Sequence, residues 1–353
     1  NPEATRLARL HAIWGIGQIS RRAPIALSSL EPAWQSDDPE VLAQCAKVAG
    51  DIPGHLPKIA GLRKHLLTAL EHKSPRVQFF AAISLGKHKV EEAAPELINL
   101  LATGGSKDPY LRHAAMMGLK GALSPARLAS LHEHDNRTVR LAAIVALRNL
   151  RAPEITAFLE DGDELILLEA ARAIHDDQSI PEALPALSQL LGRPGLTNEA
   201  LMRRVINAAF RVGTYPALLQ LEGYLKRREG SSRMKRTALA SLLWWSQPPV
   251  LDAVEGRYRK HAPRDSKPAN EAVSRLKVVI MEDNELREVL LNGVSVRGEA
   301  SWLEGTSEHF GKLSPSLQMK VLDGLARTNS PDLREFVQAA LASNDPKVQE
   351  KAR

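Results

Sequence analysis

One phrase recurs along the chain and limits what it can fold into. A turn carrying Asp, Asn or Ser comes first, often followed by Pro. Then come a Val or Leu, paired Ala residues and a closing Leu-Gly. The phrase reads DPEVLAQCAKVAG from Asp38, SPRVQFFAAISLG from Ser74 and DPYLRHAAMMGLKG from Asp108, with weaker copies at Asn136, Asp163, Ser231 and Ser314. Taking the first apolar residue of each copy as its anchor gives Ala8, Val41, Val77, Leu111, Val139, Ile166, Leu201, Met234, Leu317 and Val348. These lie 27 to 36 residues apart, except for a gap of 83 after Met234 that has room for two further units. A period of this size is one helix pair with its turns, and such pairs stack on their sequence neighbours.

Each copy explains its own helix. Val77, Ala81, Ala82 and Leu85 fall on one face at helical spacing. Asp38 and Asp108 stand where an N-cap accepts the unpaired amides of a first turn, and Pro39, Pro75 and Pro109 stand where a missing N–H costs nothing. The Ala pairs allow close helix approach. Gly50 and Gly86 suit the left-handed residue that ends a helix. Short Leu-rich amphipathic runs at 94–103, 125–133 and 182–192 supply the second helix of several pairs. No run shows the alternation of a strand. The expected fold is all-α, a right-handed α-α superhelix of about 11–12 helical units. Units are expected to be regular over 1–260. Over 261–353 the solenoid continues irregularly, with loops expected at His261–Asn270 and around Asn292–Trp302.

Composition narrows the chemistry. Aromatics make up only 4% of the chain, as suits thin layers of Ala and Leu. Cys45 is the single cysteine, so no disulfide framework exists, and its Ala-rich surroundings make it core filler. No apolar run reaches 18 residues. The chain opens inside one repeat and stops inside another, and is read as a piece of a longer protein. Net charge is +6 but unevenly laid out: residues 201–280 hold 16 Lys/Arg against 6 Asp/Glu, whereas 151–200 hold 3 against 10. Such a dipolar layout suits steering of a charged partner.

These phrases resemble the HEAT-repeat class, especially the short repeats of phycobilin-lyase type, over nearly the whole chain. The resemblance implies that the Pro-x-Val helix lines a concave side. It also implies that a turn Asp and the basic residue after the anchor form an internal ladder. Asp108 with Arg112 matches that pattern and Arg140 matches half of it, whereas Leu42, Leu167 and Met202 depart from it. A narrower likeness lies in RLHAIWGIGQISRR (Arg9 to Arg22) followed by DPEVLAQCAKVAGD. It is similar to the repeat region of very large planctomycete and verrucomicrobial proteins that join a dehydrogenase-like propeller, a HEAT-like solenoid and a c-type haem domain. That likeness implies an exported, periplasmic parent in which the solenoid spaces redox modules. No Cys-x-x-Cys-His occurs here, so the expected fragment carries no cofactor and covalent haem belongs elsewhere in such a parent.

Candidate sites follow from the charge layout. Arg203, Arg204, Arg233, Lys235 and Arg236, with Trp244 and Trp245 beside them, form the candidate partner-binding face of 201–260. An acidic protein surface or the flanking domains of the same chain are the expected partners. A nucleic-acid interface of the kind used by HEAT-like glycosylases is the alternative, disfavoured because no catalytic carboxylate stands clear beside those aromatics. A tetrapyrrole site is a further alternative, carried by the repeat type alone. His132-Glu133-His134-Asp135 lacks metal-ligand spacing and reads as a polar turn, and Trp14 reads as packing. No nucleophile elbow or phosphate loop occurs, and the chain is read as a non-catalytic scaffold.

Overall fold

A computed structural model describes residues 5–53, 59–177, 180–297, 300–303, 307–327 and 330–353. The Asn1-Pro2 opening lies outside them. The chain divides into two compact units, Asn1–Ala173 and Ile174–Arg353.

Unit 1 contains α1 (Arg6–Ser20), α2 (Pro39–Gly50), α3 (Leu62–Leu70), α4 (Pro75–Lys87), α5 (Ala94–Thr103), α6 (Pro109–Ala122), α7 (Pro125–Ala129), α8 (Arg137–Leu150) and most of α9 (Glu164–His175). Helices α1, α2, α4, α6 and α8 pack one on the next as a first layer. The second layer is α3, α5, α7 and two 3₁₀ segments, Pro24–Gln35 and Pro153–Glu160, each folded back on its own first-layer helix.

Unit 2 contains α10 (Leu184–Gln189), α11 (Glu199–Val212), α12 (Tyr215–Lys226), α13 (Ser232–Leu243), α14 (Lys267–Arg275), α15 (Lys277–Glu282), α16 (Asn284–Arg297), α17 (Pro315–Arg327), α18 (Leu333–Leu341) and α19 (Pro346–Ala352). Here α11, α13, α16, α17 and α19 follow one another, while α12, α14 and α18 pack beside them. Among the described residues the fold is all-α helix pairs; the only β feature is an isolated antiparallel bridge between Leu251 and Tyr258.

The recurring phrase does most of what its chemistry predicts. Val41, Val77, Leu111, Val139, Ile166, Leu201, Met234 and Val348 are buried. Asp38, Asp108, Asn136, Asn198, Ser231 and Asp345 accept first-turn amides with their side chains. The anchor Leu317 is only half-buried, and further expectations fail for physical reasons. Ala8 is exposed, because α1 buries Ile13, Gly17 and Ser20 instead. The gap after Met234 holds a non-helical excursion, 244–266, and a pair built on α16, whose anchor is Leu286. Residues 292–297 are helical within α16, and the expected loop at His261–Asn270 gives way to α14 from Lys267.

Gly50 and Gly86 end no helix in the left-handed region; both lie inside α2 and α4. Their reason is close approach. A Cβ on Gly86 would stand 2.7 Å from the Met117 carbonyl oxygen, and one on Gly121 would land on the Gly86 carbonyl. The α4–α6 seam is therefore glycine against glycine.

The Asp–Arg ladder takes another form. Asp108 caps α6 through the amides of Tyr110 and Leu111, while Arg112 turns back to donate to the Gly105 carbonyl at 2.8 Å. The equivalent residue of other repeats does the same: Arg140 to His134 O, Lys235 to Arg227 O, Arg287 to Met281 O and Gln349 to Ser343 O. This position ties a helix to the turn that leads into it, satisfying carbonyls the turn leaves unpaired. Arg140 adds an ion pair to Asp161 at 2.8 Å, reaching the next turn.

Candidate functional site

The cationic stretch of unit 2 is largely neutralised from within. Arg204 grips Asp176 through Nε and Nη2 at 2.7 to 3.2 Å and also donates to Ala200 O. Burial pushes the Asp176 carboxyl up, but hydrogen bonds from His175 and Arg204 outweigh it and hold the group well below the usual carboxylate range. Lys235 is tied to Arg227 O. Arg233 and Arg236 stand exposed in 3.4 Å pairs with Glu199 and Glu285. Arg203 makes no ion pair among the described residues. The tryptophans are not free to stack on a partner. Trp245 is 3% exposed, edge-on to Phe210, with the Arg264 guanidinium 4.6 Å from its centroid. Trp244 is half-buried beneath Arg297 at 5.1 Å. The expected face is thus not one continuous patch: Arg204, Lys235 and Trp245 are engaged inward, Arg233 and Arg236 are exposed, and Arg203 is half-buried.

The centre of this network is Arg211, whose side chain is 2% exposed at the end of α11. It pairs with Asp252 at 2.8 Å and Glu255 at 2.7 Å, and donates to the carbonyl of His175 at 2.5 Å. Burial raises both carboxyls; backbone amides (of Glu255 and Val254 to Asp252, and of Asp177 to Glu255) together with Arg211 overcome it and lower them. His175, fully buried, bridges Asp176 and Asn207. This is fixed structural electrostatics, with every charge matched. In the sequence Arg211 is only one of the 16 Lys/Arg of 201–280. The signal missing there was the pairing with two carboxylates that sit 41 and 44 residues later.

Unit 1 presents a different surface, one the sequence reading did not single out. Between α6, α8 and α9 the first layer opens a depression of about 590 Å³ floored by Met116, Leu141, Ala142, Val145 and Leu165. Val145 and Leu165 are 42% and 50% exposed although apolar. Between α4 and α6 a smaller depression, about 320 Å³, holds Phe79, Phe80 and the exposed Tyr110. Its rim carries Arg76, over the Phe80 ring at 5.3 Å and paired with Glu40. The Arg76 hydrogen bond is what chiefly lowers the Glu40 carboxyl. Around the larger depression Arg137 pairs with Asp163 and Arg172 with Glu169. Arg112 of the rim is tied to Gly105 O and His113 completes the lining, so the rim carboxylates are already engaged and the floor is what a partner gains by covering. The clue in the sequence was that Leu141, Val145 and Leu165 are apolar yet lie off the stripe that packs α8 and α9.

The remaining candidates take ordinary roles. His134 Nδ1 accepts the Asn136 amide, and His132 lies edge-on to Phe158. Cys45 is buried and its thiol is pushed up to about 12 by that burial. Trp14 is partly exposed and donates to Gln44 Oε1 at 2.9 Å. Among the described residues no three His, Cys, Asp or Glu side chains converge to hold a metal, and no helix is long and apolar enough to cross a membrane.

No protein-family model and no curated protein matches the chain. Solved structures do. The complex of CpcE and CpcF of phycocyanin lyase from Nostoc is similar at 18% identity over 78% of this chain and 92% of that one, with a TM-score of 0.33. Kap95p, solved bound to RanGDP, is similar at 14% identity over 99% of this chain and 55% of that one, with a TM-score of 0.40. Human deoxyhypusine hydroxylase with glycerol is similar at 15% identity over 82% and 96%, with a TM-score of 0.28.

Proposed function

We propose that this chain is a non-catalytic helical-repeat scaffold that docks a partner protein across the first-layer face of unit 1. The observation that carries this reading is the apolar floor of Met116, Leu141, Val145 and Leu165, laid open between helices whose rim carboxylates, Asp163 and Glu169, are already paired. A surface of that kind gains free energy on association mainly by removing apolar area from water. The glycine seam and the turn-anchored Arg residues hold the helices in place, so little ordering is lost on binding.

Arg203, Arg233 and Arg236 are secondary contacts for an acidic partner. The last two are in exposed pairs worth little by themselves, so they are free to change partner. A spacer position inside a longer, exported, haem-linked protein is the setting implied by the likeness at 9–22 and 38–51. Flanking domains of the same chain would then be among the partners.

The test places a photoactivatable benzoylphenylalanine at Val145 or Leu165 in the producing cell, with Asn99 on the second layer as control. The proposal predicts a discrete protein adduct from 145 and 165 and none from 99. Equal adducts from all three, or none from any, would overturn it.

A further inference from the structure

The least repeat-like part of unit 2 is the excursion between α13 and α14. It is a doubled-back ribbon. The Arg264 amide donates to Ser246 O at 3.1 Å, Arg259 to Val250 O at 2.8 Å and Asp252 to Arg257 O at 2.8 Å, around the Leu251–Tyr258 bridge. Its tip turns through Gly256, at φ 67°, where a side chain is disfavoured.

The tip is pinned from beneath. Asp252 accepts the amides of Val254 and Glu255 while paired with Arg211, and Glu255 accepts the Asp177 amide while paired with Arg211 and Arg259. Arg257 reaches Asp177 at 2.5 Å. Both carboxylates of the tip, Asp252 and Glu255, are therefore buried and matched, while Asp265 at the foot of the ribbon is exposed. What the tip itself shows to solvent is apolar or cationic: Val250, Leu251 and Tyr258 are 55%, 56% and 71% exposed, beside the exposed Arg257 and Lys260. Lys260 makes no ion pair among the described residues.

We propose that this ribbon is a second docking element, fitted to an acidic protein segment that carries aliphatic or aromatic side chains. Three exposed apolar residues on a rigid, doubly pinned turn form an anchor that loses little freedom on binding. A tip whose own carboxylates are buried while Arg257 and Lys260 stand exposed selects a partner of opposite sign and disfavours a basic one. Protein is favoured over nucleic acid by the side chains displayed. Val250 and Leu251 are aliphatic, Trp244 is covered by Arg297 and Trp245 is buried, which leaves Tyr258 alone to stack on a base. The inference rests on reading the chain as an interaction scaffold, but not on the groove of unit 1.

The test uses the full chain and a short fluorescent peptide alternating Glu with Leu. Two counter-probes are the same peptide with Ser for Leu and an oligothymidylate. Leu251→Ser, Tyr258→Ser and Lys260→Glu change exposed side chains only, and slow exchange of the Asp252 and Arg259 amides reports that the ribbon is intact. The Glu-Leu peptide is expected to bind, to weaken by roughly tenfold or more in the combined variant, and to be unaffected by Val145→Asp with Leu165→Asp. The Ser peptide and the oligothymidylate are expected to bind more weakly than the Glu-Leu peptide. No binding, equal binding by the ribbon variant, equal binding of the Ser peptide, or tighter binding of the oligothymidylate would each overturn the proposal. Loss in the groove variant would do so too, since the peptide would then be seated in unit 1. Failure of the photo-crosslinks at 145 and 165 leaves this assay unchanged, so the two readings fail separately.

Discussion

Arg211→Met tests whether the cationic stretch of unit 2 is internal structure. The guanidinium is 2% exposed and faces Asp252 and Glu255, whose side chains are 1% and 8% exposed. Removing one partner of a buried ion pair costs about 3–5 kcal/mol, because the other charge stays buried and unmatched. Here Arg259 still lies 3.1 Å from Glu255, and Asp252 keeps the amides of Val254 and Glu255, which places the loss near the lower end, about 3 kcal/mol. Followed by urea unfolding, that loss moves the transition of unit 2 down by roughly 1–2 M. The pH dependence gives a sharper signature. In the parent protein Asp176, Asp252 and Glu255 have lowered carboxyl pKa values. Their stabilisation is thus complete above the unfolded carboxylate range, about 4, and fades as pH falls through the lowered folded values. In the variant, Asp252 keeps only its two backbone amides against burial, so its carboxyl lies above the lowered value of the parent and the penalty shrinks on acidification. The stability gap between parent and variant should narrow as pH falls from 7 into the carboxylate range, about 4. A penalty below about 1 kcal/mol, or a gap that stays constant over that range, would refute the matched network.

Further outcomes follow from single residues. Gly86→Ala places a methyl 2.7 Å from the Met117 carbonyl and should cost about 1–3 kcal/mol, read as a lowered Tm of unit 1; a neutral effect would mean that α4 and α6 are not seamed by glycine. Val145→Asp with Leu165→Asp alters exposed positions and should leave the unfolding free energy within about 0.5 kcal/mol of the parent while removing association at the first-layer face. Cys45 should resist a thiol reagent in the native protein at neutral pH and react on unfolding, since its buried thiol titrates only near 12; rapid native labelling would contradict its placement. A short DNA duplex should bind weakly and lose what binding it has on raising salt, because Arg204, Arg211 and Lys235 are engaged inside the protein; tight binding at physiological salt would reopen the nucleic-acid reading.

How far the sequence could be read depended on the range of the interaction. Asp38, Asp108, Asn136 and Asp345 cap the helices beside them, and Val77 or Val139 sit on stripes defined within one helix, so local spacing was enough. Gly86 shows where local reasoning stops. Its position near the end of a helical run suggested a terminator, whereas its role comes from Gly118 and Gly121 on the neighbouring helix. The basic stretch misled for the same cause. Charge is counted along the chain, but Arg204 meets Asp176 and Arg211 meets Asp252 only once the repeats are stacked. The ribbon escaped notice because Pro248, Pro249 and Pro263 mark it as loop, and its ladder is held by a turn whose carboxylates are anchored elsewhere. Val145 and Leu165 were legible in principle, as apolar residues off the packing stripe. Nothing local distinguishes such a residue from one that a neighbouring helix covers.

Hydrogen exchange across the whole chain, alone and with the partner captured through the Val145 photoprobe, tests the docking account most directly. Added protection on binding is predicted in the first-layer segments 75–87, 109–122 and 137–150 and in residues 164–173 of α9, with α3, α5 and α7 unchanged. Protection confined to the second layer, or no change in the first, would contradict it.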